Sequence, residues 1–394
     1  MLHQRELSKN VYKIGVEDWD RRLFDALIPL PDGTSYNSYL VFGSTKTAII
    51  DTVDPAMVHV LKAQLESVPT IDYIIANHAE QDHSGSIPFV LEKYPQAKVV
   101  VTPKCKDLLK DHLALNDDVF ITVNDGDTLS LGDKTFTFLH TPWVHWPETM
   151  CSYLQEDKIL FSCDFFGSHL ASSDLYAIDK PRVYESAKRY YAEIMMPFRV
   201  MIRKNIDKVQ QYPIAIIAPS HGPVYNEPAF IIDAYKDWVS ETPKNNVVIP
   251  YISMHGSTRL MVEYLVSALA RRGVTVEQFD MTVTDIGKVA IALVDAGTVI
   301  IGTPAVHVGP HPAVIAAAQL VGMLRPKVKF VSIIGSYGWG NKIVEQLSGI
   351  IGNLKVEVLP PVICKGLAKD QDYAALDALA QAVAERHAGF NSPT

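Results

Sequence analysis

The sequence predicts two α/β domains in tandem. The first, residues 1–245, is a layered αββα arrangement; the second, residues 246–394, is a doubly wound parallel sheet of five strands. Three observations predict this. A chain of 394 residues is longer than one core organises. Ser240-Glu241-Thr242-Pro243-Lys244-Asn245-Asn246 is polar, carries a proline and reads as a linker. Strand-like runs with interspersed helices precede it, whereas strand and helix alternate after it.

In the first half, apolar runs place strands at 11–15, 38–42, 47–51, 73–76, 98–102 and 119–123. Two hairpins follow. One pairs 128–131 with 135–139 around Gly132-Asp133, and the other pairs 150–154 with 159–162 around Gln155-Glu156-Asp157-Lys158. Helices are expected near 57–67, 88–93 and 184–194. In the second half the strands are 247–252, 274–279, 298–302, 328–334 and 356–359, and helices fill 258–272, 286–295, 313–324, 342–349 and 373–386. Such a sheet binds ligands at the carboxyl ends of its strands. No fixed-period repeat or low-complexity tract interrupts the pattern.

Composition removes several function classes. A net charge of -8 argues against nucleic acid or an anionic membrane as a partner held by a basic field. Cys105, Cys151, Cys163 and Cys364 are scattered without a C-x-x-C pair, so no iron–sulfur cluster or rubredoxin-type iron is built locally. So few cysteines fit a reducing compartment. The start lacks an apolar h-region, and the longest apolar run, 313–324, is broken by Gln319 and too short to span a bilayer. A cytoplasmic protein is expected.

Chemistry concentrates in Asn77-His78-Ala79-Glu80-Gln81-Asp82-His83-Ser84-Gly85. His78, Glu80 and Asp82 are two apart, so an extended chain would point all three to one side. His83 adds a fourth donor as the chain turns at Ser84-Gly85. Two imidazoles and two carboxylates without a thiolate suit iron, zinc or manganese, and suit a metal pair better than one structural zinc. So many ligands this close strand charge without a cation. Three more donors follow apolar segments: His145 in Pro142-Trp143-Val144-His145-Trp146-Pro147, Asp164, and His221 before Gly222. Alone, each reads equally as a loop residue.

The second half offers three loops at strand ends. Ser253-Met254-His255-Gly256-Ser257-Thr258 opens a helix and supplies N–H and O–H donors to a phosphate. Thr303-Pro304-Ala305-Val306-His307-Val308 and Ser336-Tyr337-Gly338-Trp339 suit a flat ring, through close backbone approach and stacking. There is no G-x-G-x-x-G, and no reductase extension is expected beyond Thr394.

The order of these motifs is Asp51 after an early strand, the His-rich cluster, then His145, Asp164 and His221. It resembles the metallo-β-lactamase superfamily. Hydrolases of that superfamily carry H-x-H-x-D-H; here Glu80 replaces the second histidine. With the flavodoxin-like second half, the chain resembles the flavodiiron proteins (A-type flavoproteins of the rubredoxin:oxygen oxidoreductase type). The resemblance implies a metallo-β-lactamase-like domain joined to an FMN-binding domain. One iron would be held by His78, Glu80 and His145, the other by Asp82, His83 and His221. Asp164 would bridge them, holding two ions about 3.5–4 Å apart. In that family the position of His83 is not always coordinated. FMN would occupy the three loops, with His255 where a flavodoxin usually has threonine.

The resemblance further implies reduction of O2 to water or of NO to N2O. It implies electrons from an external donor (rubredoxin, a rubredoxin reductase or a reduced deazaflavin) and a head-to-tail homodimer or dimer of dimers. His169 is a candidate to hydrogen-bond a ligand or substrate, and Trp146 and Tyr191 are candidates to line the pocket. His3, His59, His112 and His387 are read as surface residues. One alternative is a zinc hydrolase fused to an electron-transfer flavodoxin module; Glu80 and the flavin loops argue against it. A pure electron carrier with a decayed metal site is opposed by the seven intact donors.

Overall fold

The computed structural model describes residues 5–352 and 354–391. His3 lies outside them. Two compact units divide the chain, Met1–Val239 and Ser240–Thr394.

The first unit stacks two sheets. One has seven strands in the spatial order Arg5–Ser8, Val11–Asp18, Thr34–Phe42, Thr47–Ile50, Tyr73–Ile75, Lys98–Val101, Phe120–Thr122. The other has five, Thr128–Ser130, Thr135–His140, Met150–Leu154, Ile159–Cys163 and Ile216–Pro219, the last pair parallel. Strand alternation sends neighbouring side chains to opposite faces, so both faces of a central strand must be apolar. Ile49, Ile74 and Val99 turn outward onto Leu61 and Leu65 of the helix Val58–Leu65 and Leu109 of the helix Pro103–Leu113. Their successors Ile50, Ile75 and Val100 turn inward onto Phe136, Phe138, Leu154 and Phe161 of the second sheet. This is the expected αββα sandwich, and both hairpins form as expected.

Val11–Asp18 pairs with Arg5–Ser8 as far as Lys13, and beyond it one side chain takes up the backbone of Gly15. The Gln64 amide accepts from Gly15 N at 2.9 Å and donates to Gly15 O at 2.8 Å, as a neighbouring strand would. Gly15 has φ 105°, and a Cβ there would stand 2.1 Å from the Tyr36 carbonyl oxygen.

Several elements differ from expectation. The helices Pro103–Leu113, Arg199–Val209 and Pro228–Trp238 were not anticipated; the first and last begin on a proline, a start signal that went unread, and the second follows directly on the 3-10 turn Met196–Phe198. The helix expected at 184–194 is Lys180–Tyr190 followed by a π-helical turn, Tyr191–Met195.

In the second unit all principal strands are parallel. Asn246–Tyr251 lies between Thr275–Asp280 and Thr298–Val306, followed by Phe330–Tyr337. The fifth position is shared by Glu357–Val358 and Val362–Lys365, both parallel to Phe330–Tyr337. Pro360-Pro361 interrupts that strand. The order 2-1-3-4-5 is the flavodoxin-like one, with its switch point between the first and third strands. Val247, Ile249, Ile300 and Ile334 form the core with Leu265 and Leu269 of the helix Ser257–Ala270 and Leu376 and Val383 of the helix Asp370–His387.

His387 is buried rather than on the surface. Its ring nitrogens lie 2.7 Å from Thr298 Oγ1 and 3.0 Å from Asn245 Oδ1, and burial pushes the imidazole down to about 4. The last helical turn points inward here, against the periodicity read from the chain. His59 and His112 are exposed as expected. No described helix is long and apolar enough to cross a membrane.

Candidate metal centre

Asp51, just past the strand Thr47–Ile50, organises the site. Its carboxylate accepts from Asn77 N at 2.8 Å, Asn77 Nδ2 at 3.1 Å and Ser220 Oγ at 3.2 Å. It thereby ties the loop that opens at Asn77 to the residue before His221. Asp51 (φ 52°), His145 (φ 38°) and Cys163 (φ 51°), which precedes Asp164, all have left-handed backbone. Such conformations cost about 1–3 kcal/mol each and persist where the surroundings dictate them.

The chain does not stay extended through the His-rich cluster. Glu80 is the last extended residue, and Gln81–Ser84 is a helical turn in which His83 N and Ser84 N both donate to Glu80 O. The turn divides the donors into two groups rather than aligning His78, Glu80 and Asp82 on one side.

The first group is His78, Glu80, His145 and Asp164; the second is Asp82, His83 and His221. In the first, Glu80 Oε2 lies 3.1 Å from His78 Nε2 and 3.2 Å from His145 Nε2. Asp164 Oδ2 lies 2.9 Å from His145 Nε2 and 3.5 Å from His78 Nε2. In the second, Asp82 Oδ2 lies 3.4 Å from His83 Nε2 and 3.2 Å from His221 Nε2. Asp164 Oδ1 lies 2.8 Å from His83 Nε2 and 3.4 Å from His221 Nε2. Two donors each about 2.0–2.2 Å from one metal stand roughly 3.0–3.5 Å apart. Asp164 therefore presents one oxygen to each group, and the structure brings all seven sequence-identified donors together.

Several of these atoms have no hydrogen-bond partner although buried: both Asp82 oxygens, both His83 nitrogens and Asp164 Oδ1. Polar atoms left so would cost several kcal/mol, of order 1–3 each, and the donor set fits metal ions. Electrostatics agrees. Burial opposes charge on His83, but Asp164 and Asp82 outweigh it and lift the imidazole to about 10. Burial likewise opposes charge on His78, but the hydrogen bonds it donates to Glu148 and Glu80 raise it well above its ordinary value. The carboxylates thus demand positive charge at this point. Burial pushes the adjacent Cys163 thiol up, so it stays a thiol.

The surroundings contain residues that the sequence did not single out. His221 Nδ1 donates to Ser35 O at 2.6 Å. Gly222 N donates to Ser35 Oγ at 2.7 Å, and Asn37 Nδ2 donates to Gly222 O at 2.7 Å. Glu148, buried three residues beyond His145, takes His78 Nδ1 at 2.7 Å. The only signal for it was a lone acid in an otherwise apolar aromatic loop.

His169 hydrogen-bonds Thr34 Oγ1 at 2.9 Å, not a donor of the cluster, although its ring centroid lies 4.9 Å from that of His221. Burial and the neighbouring His221 hold it well below the ordinary range, in the neutral form. Trp146 sits edge-on to His78, with ring centroids 4.9 Å apart. Tyr191 is not at the site: it packs on Tyr235 and Trp238, and its hydroxyl reaches Trp238 O at 3.3 Å. The preceding residue takes that place, with the Tyr190 ring 4.8 Å from His169 and 5.8 Å from His221. The turn widens to π geometry immediately after Tyr190, which sequence periodicity does not reveal.

In the second unit a cavity of about 330 Å³ opens at the carboxyl ends of the strands. Of the predicted residues, Ser253, Met254, His255, Ser257, Thr258, Pro304, Ala305, Ser336, Tyr337, Gly338 and Trp339 line it, and Gly366 joins them. Thr258 Oγ1 and Ser336 Oγ are 3.2 Å apart on its floor. Gly256 caps the helix with φ 90° and does not line the cavity. Thr303 turns its hydroxyl to backbone, accepting from His311 N at 3.0 Å. Val306, His307 and Val308 are carried away because the strand runs on and doubles back onto Gly309–Pro310. Gly366 was missed because the strand before it, Val362–Lys365, hid behind two prolines.

Comparison with known proteins accords with this geometry. Residues 34–222 match the family described as ODP family beta lactamase. The chain is 34% identical over 362 residues to the nitric oxide reductase of Moorella thermoacetica, covering 90% of each. It matches the structure of the rubredoxin oxygen:oxidoreductase of Desulfovibrio gigas with a TM-score of 0.92 and 29% identity, over 98% of this chain and 99% of that one. The flavodiiron protein of Giardia intestinalis is matched with a TM-score of 0.89 and 28% identity, over 100% and 99% of the two chains. A sandwich with a two-part donor cluster, a parallel sheet with a cavity at its switch point and relatives matched over most of their length converge: the chain belongs to the flavodiiron protein family.

Proposed function

We propose that this protein is an oxidoreductase that reduces O2 to water, NO to N2O, or both, at a non-haem diiron centre, with FMN relaying electrons from an external donor. The observation that carries the reading is Asp164, whose two oxygens face the two donor groups separately. His78, Glu80 and His145 would hold one iron, Asp82, His83 and His221 the other, with Asp164 shared. The diiron domain is assigned to residues 1–245 and the FMN domain to 246–394, with the phosphate at Ser253–Thr258 and the ring against Tyr337 and Trp339. When bound, the metal pair and the reduced flavin together supply the four electrons that carry O2 to two waters, or the two that join two NO into N2O and water.

The chain's own part is placement. Asp51 fixes the two ligand loops relative to each other, Ser35 orients His221, and Trp146 and Tyr190 wall the pocket. The Moorella relative bears the name of a nitric oxide reductase and the Desulfovibrio one that of a rubredoxin oxygen:oxidoreductase, so both gases fit the family. Rubredoxin, a rubredoxin reductase or a reduced deazaflavin is the donor class. We place the protein in the cytoplasm on its four cysteines, all unpaired and buried. A head-to-tail homodimer, alone or doubled, would bring the flavin of one subunit to the metals of the other.

The test is steady-state consumption of each gas by the iron-loaded, flavin-loaded protein with chemically reduced rubredoxin. Turnover of either gas is expected. A protein that binds zinc in preference to iron and consumes neither gas would be a hydrolase instead.

A further inference from the structure

The histidines of the cluster differ in what stands behind them. His221 hands its Nδ1–H to a neutral carbonyl, Ser35 O, at 2.6 Å. His83 Nδ1 is buried with no hydrogen-bond partner. His78 alone among these three has a carboxylate behind it: Glu148 Oε1, 2.7 Å from His78 Nδ1, with both side chains fully buried. The same oxygen accepts from Ala79 N at 3.1 Å, so Glu148 grips both the ring and the backbone that follows it. With Nδ1 committed to Glu148, Nε2 is left to face Glu80 Oε2 at 3.1 Å and Asp164 Oδ2 at 3.5 Å. Glu148 is itself held in place, since Thr102 Oγ1 donates to its carbonyl at 2.9 Å. Its second carboxylate oxygen is buried without a partner.

That last fact discriminates between two roles. If Glu148 only propped up the loop, a glutamine would fill the same space and accept the same two bonds without burying a charge. The charge is desolvated here, and its hydrogen-bonded return is through His78 and one backbone N–H. A carboxylate behind a ligating imidazole fixes its tautomer and raises its basicity, and losing such a partner typically lowers metal affinity roughly 10–100-fold.

We propose that Glu148 is a positioning residue that makes the two metal positions unequal. It strengthens His78 as a donor, so that the position formed by His78, Glu80 and His145 binds its ion more tightly, and holds it in the oxidised state more strongly, than the position formed by Asp82, His83 and His221. The proposal rests on the diiron reading above.

The experiment compares the iron-loaded protein with Glu148→Gln, and adds Glu148→Asp as the conservative variant. Iron retained per chain is measured during titration with a chelator, and the reduction of the iron pair is followed by Mössbauer and EPR spectroscopy at controlled potential. Wild type is expected to release its two irons in separate steps. In Glu148→Gln the tighter step should weaken roughly 10–100-fold toward the other. The iron reduced last in wild type should become easier to reduce, and Glu148→Asp should restore part of both effects. A merely structural role would change neither the order of release nor the potential. Unchanged release and unchanged potentials in a folded, two-iron Glu148→Gln protein would overturn the proposal. Wild type that holds two irons but releases them in one step would also overturn it, leaving the diiron reading standing. Wild type that holds fewer than two irons when loaded would overturn the diiron reading itself.

Discussion

The metal-ligand cluster and the cavity proposed for the flavin are built on opposite plans. The cluster is buried, its loops cross-linked by Asp51 and Ser35, and its backbone is held in left-handed conformations at Asp51, His145 and Cys163. The cavity is open. Trp339 is 84% exposed and Met254 50%, and its floor rests on one hydroxyl pair, Thr258 and Ser336. A site that must hold small, highly charged ions needs fixed geometry in advance. A site for a large planar ring with a phosphate can close around its ligand from three loops, because contact area and a helix N-terminus do much of the work.

That contrast can be broken at its strongest point first. His78→Asn or Asp82→Asn should abolish turnover and leave fewer than two irons per chain, while FMN stays bound at full stoichiometry. Metal analysis beside the flavin absorbance decides it, and concurrent loss of flavin would show that the sites are not independent. Next in size is Gly222→Ala. The residue has φ 81°, and a Cβ would stand 2.0 Å from Ser168 Oγ and 2.8 Å from Ser168 O. Strain of about 1–3 kcal/mol should lower the melting temperature and displace the neighbouring His221, read as a lower iron content. A variant with normal iron would show the cluster to be less rigid than described.

The flavin side should respond more gently. Residues 240–394 expressed alone should fold and turn yellow with FMN, because that unit has its own core. A folded but colourless product would remove the flavin from this cavity. Thr258→Val should weaken FMN binding by roughly 1.5–3 kcal/mol, measured by fluorescence titration, with the iron content unchanged. The smallest effect concerns acid stability. Burial depresses His387 from 6.5 to about 4, so the unfolded chain takes up its proton first as pH falls. Its contribution to stability is complete above about 6.5 and is lost progressively toward pH 4. His387→Gln should flatten that part of the pH–stability curve of the 240–394 unit, and an identical curve would refute the assignment.

Much of this contrast was legible in the sequence, and what was not has physical reasons. Runs such as Thr47–Ile50 and Lys98–Val101 announced strands buried on both faces, and the five alternating strand and helix segments announced the parallel sheet. His78, Glu80, Asp82 and His83 stood out because charge so concentrated has few uses, whereas His145, Asp164 and His221 were picked out only by the order of motifs that the family resemblance supplies. The path of the chain between them did not: period-two spacing suggested an extended strand, yet the helical turn at Gln81–Ser84 separates Asp82 and His83 from His78. Tyr190 was mistaken for Tyr191 because a π turn shifts which side chain faces inward. Glu148 carries no pattern of its own, since what it does depends on a partner 70 positions away in the chain; Asp51 was part of the motif order, but its bonds to Asn77 and Ser220 were not legible. In the flavin half, the loops after the first and fourth strands line the cavity as read. The third loop does so only at Pro304 and Ala305, because a strand that continues as a ribbon looks like one that has ended.

The Gln64 amide has a consequence beyond the fold. An unpaired strand edge is a template on which another chain can grow a sheet, and proteins that meet one another at high concentration must blunt it. By occupying both backbone groups of Gly15, a single side chain denies that register to any incoming strand. Backbone pairing is closed at that one register, and the outer strands of the sheet, Arg5–Ser8 and Phe120–Thr122, are where an incoming strand would have to add.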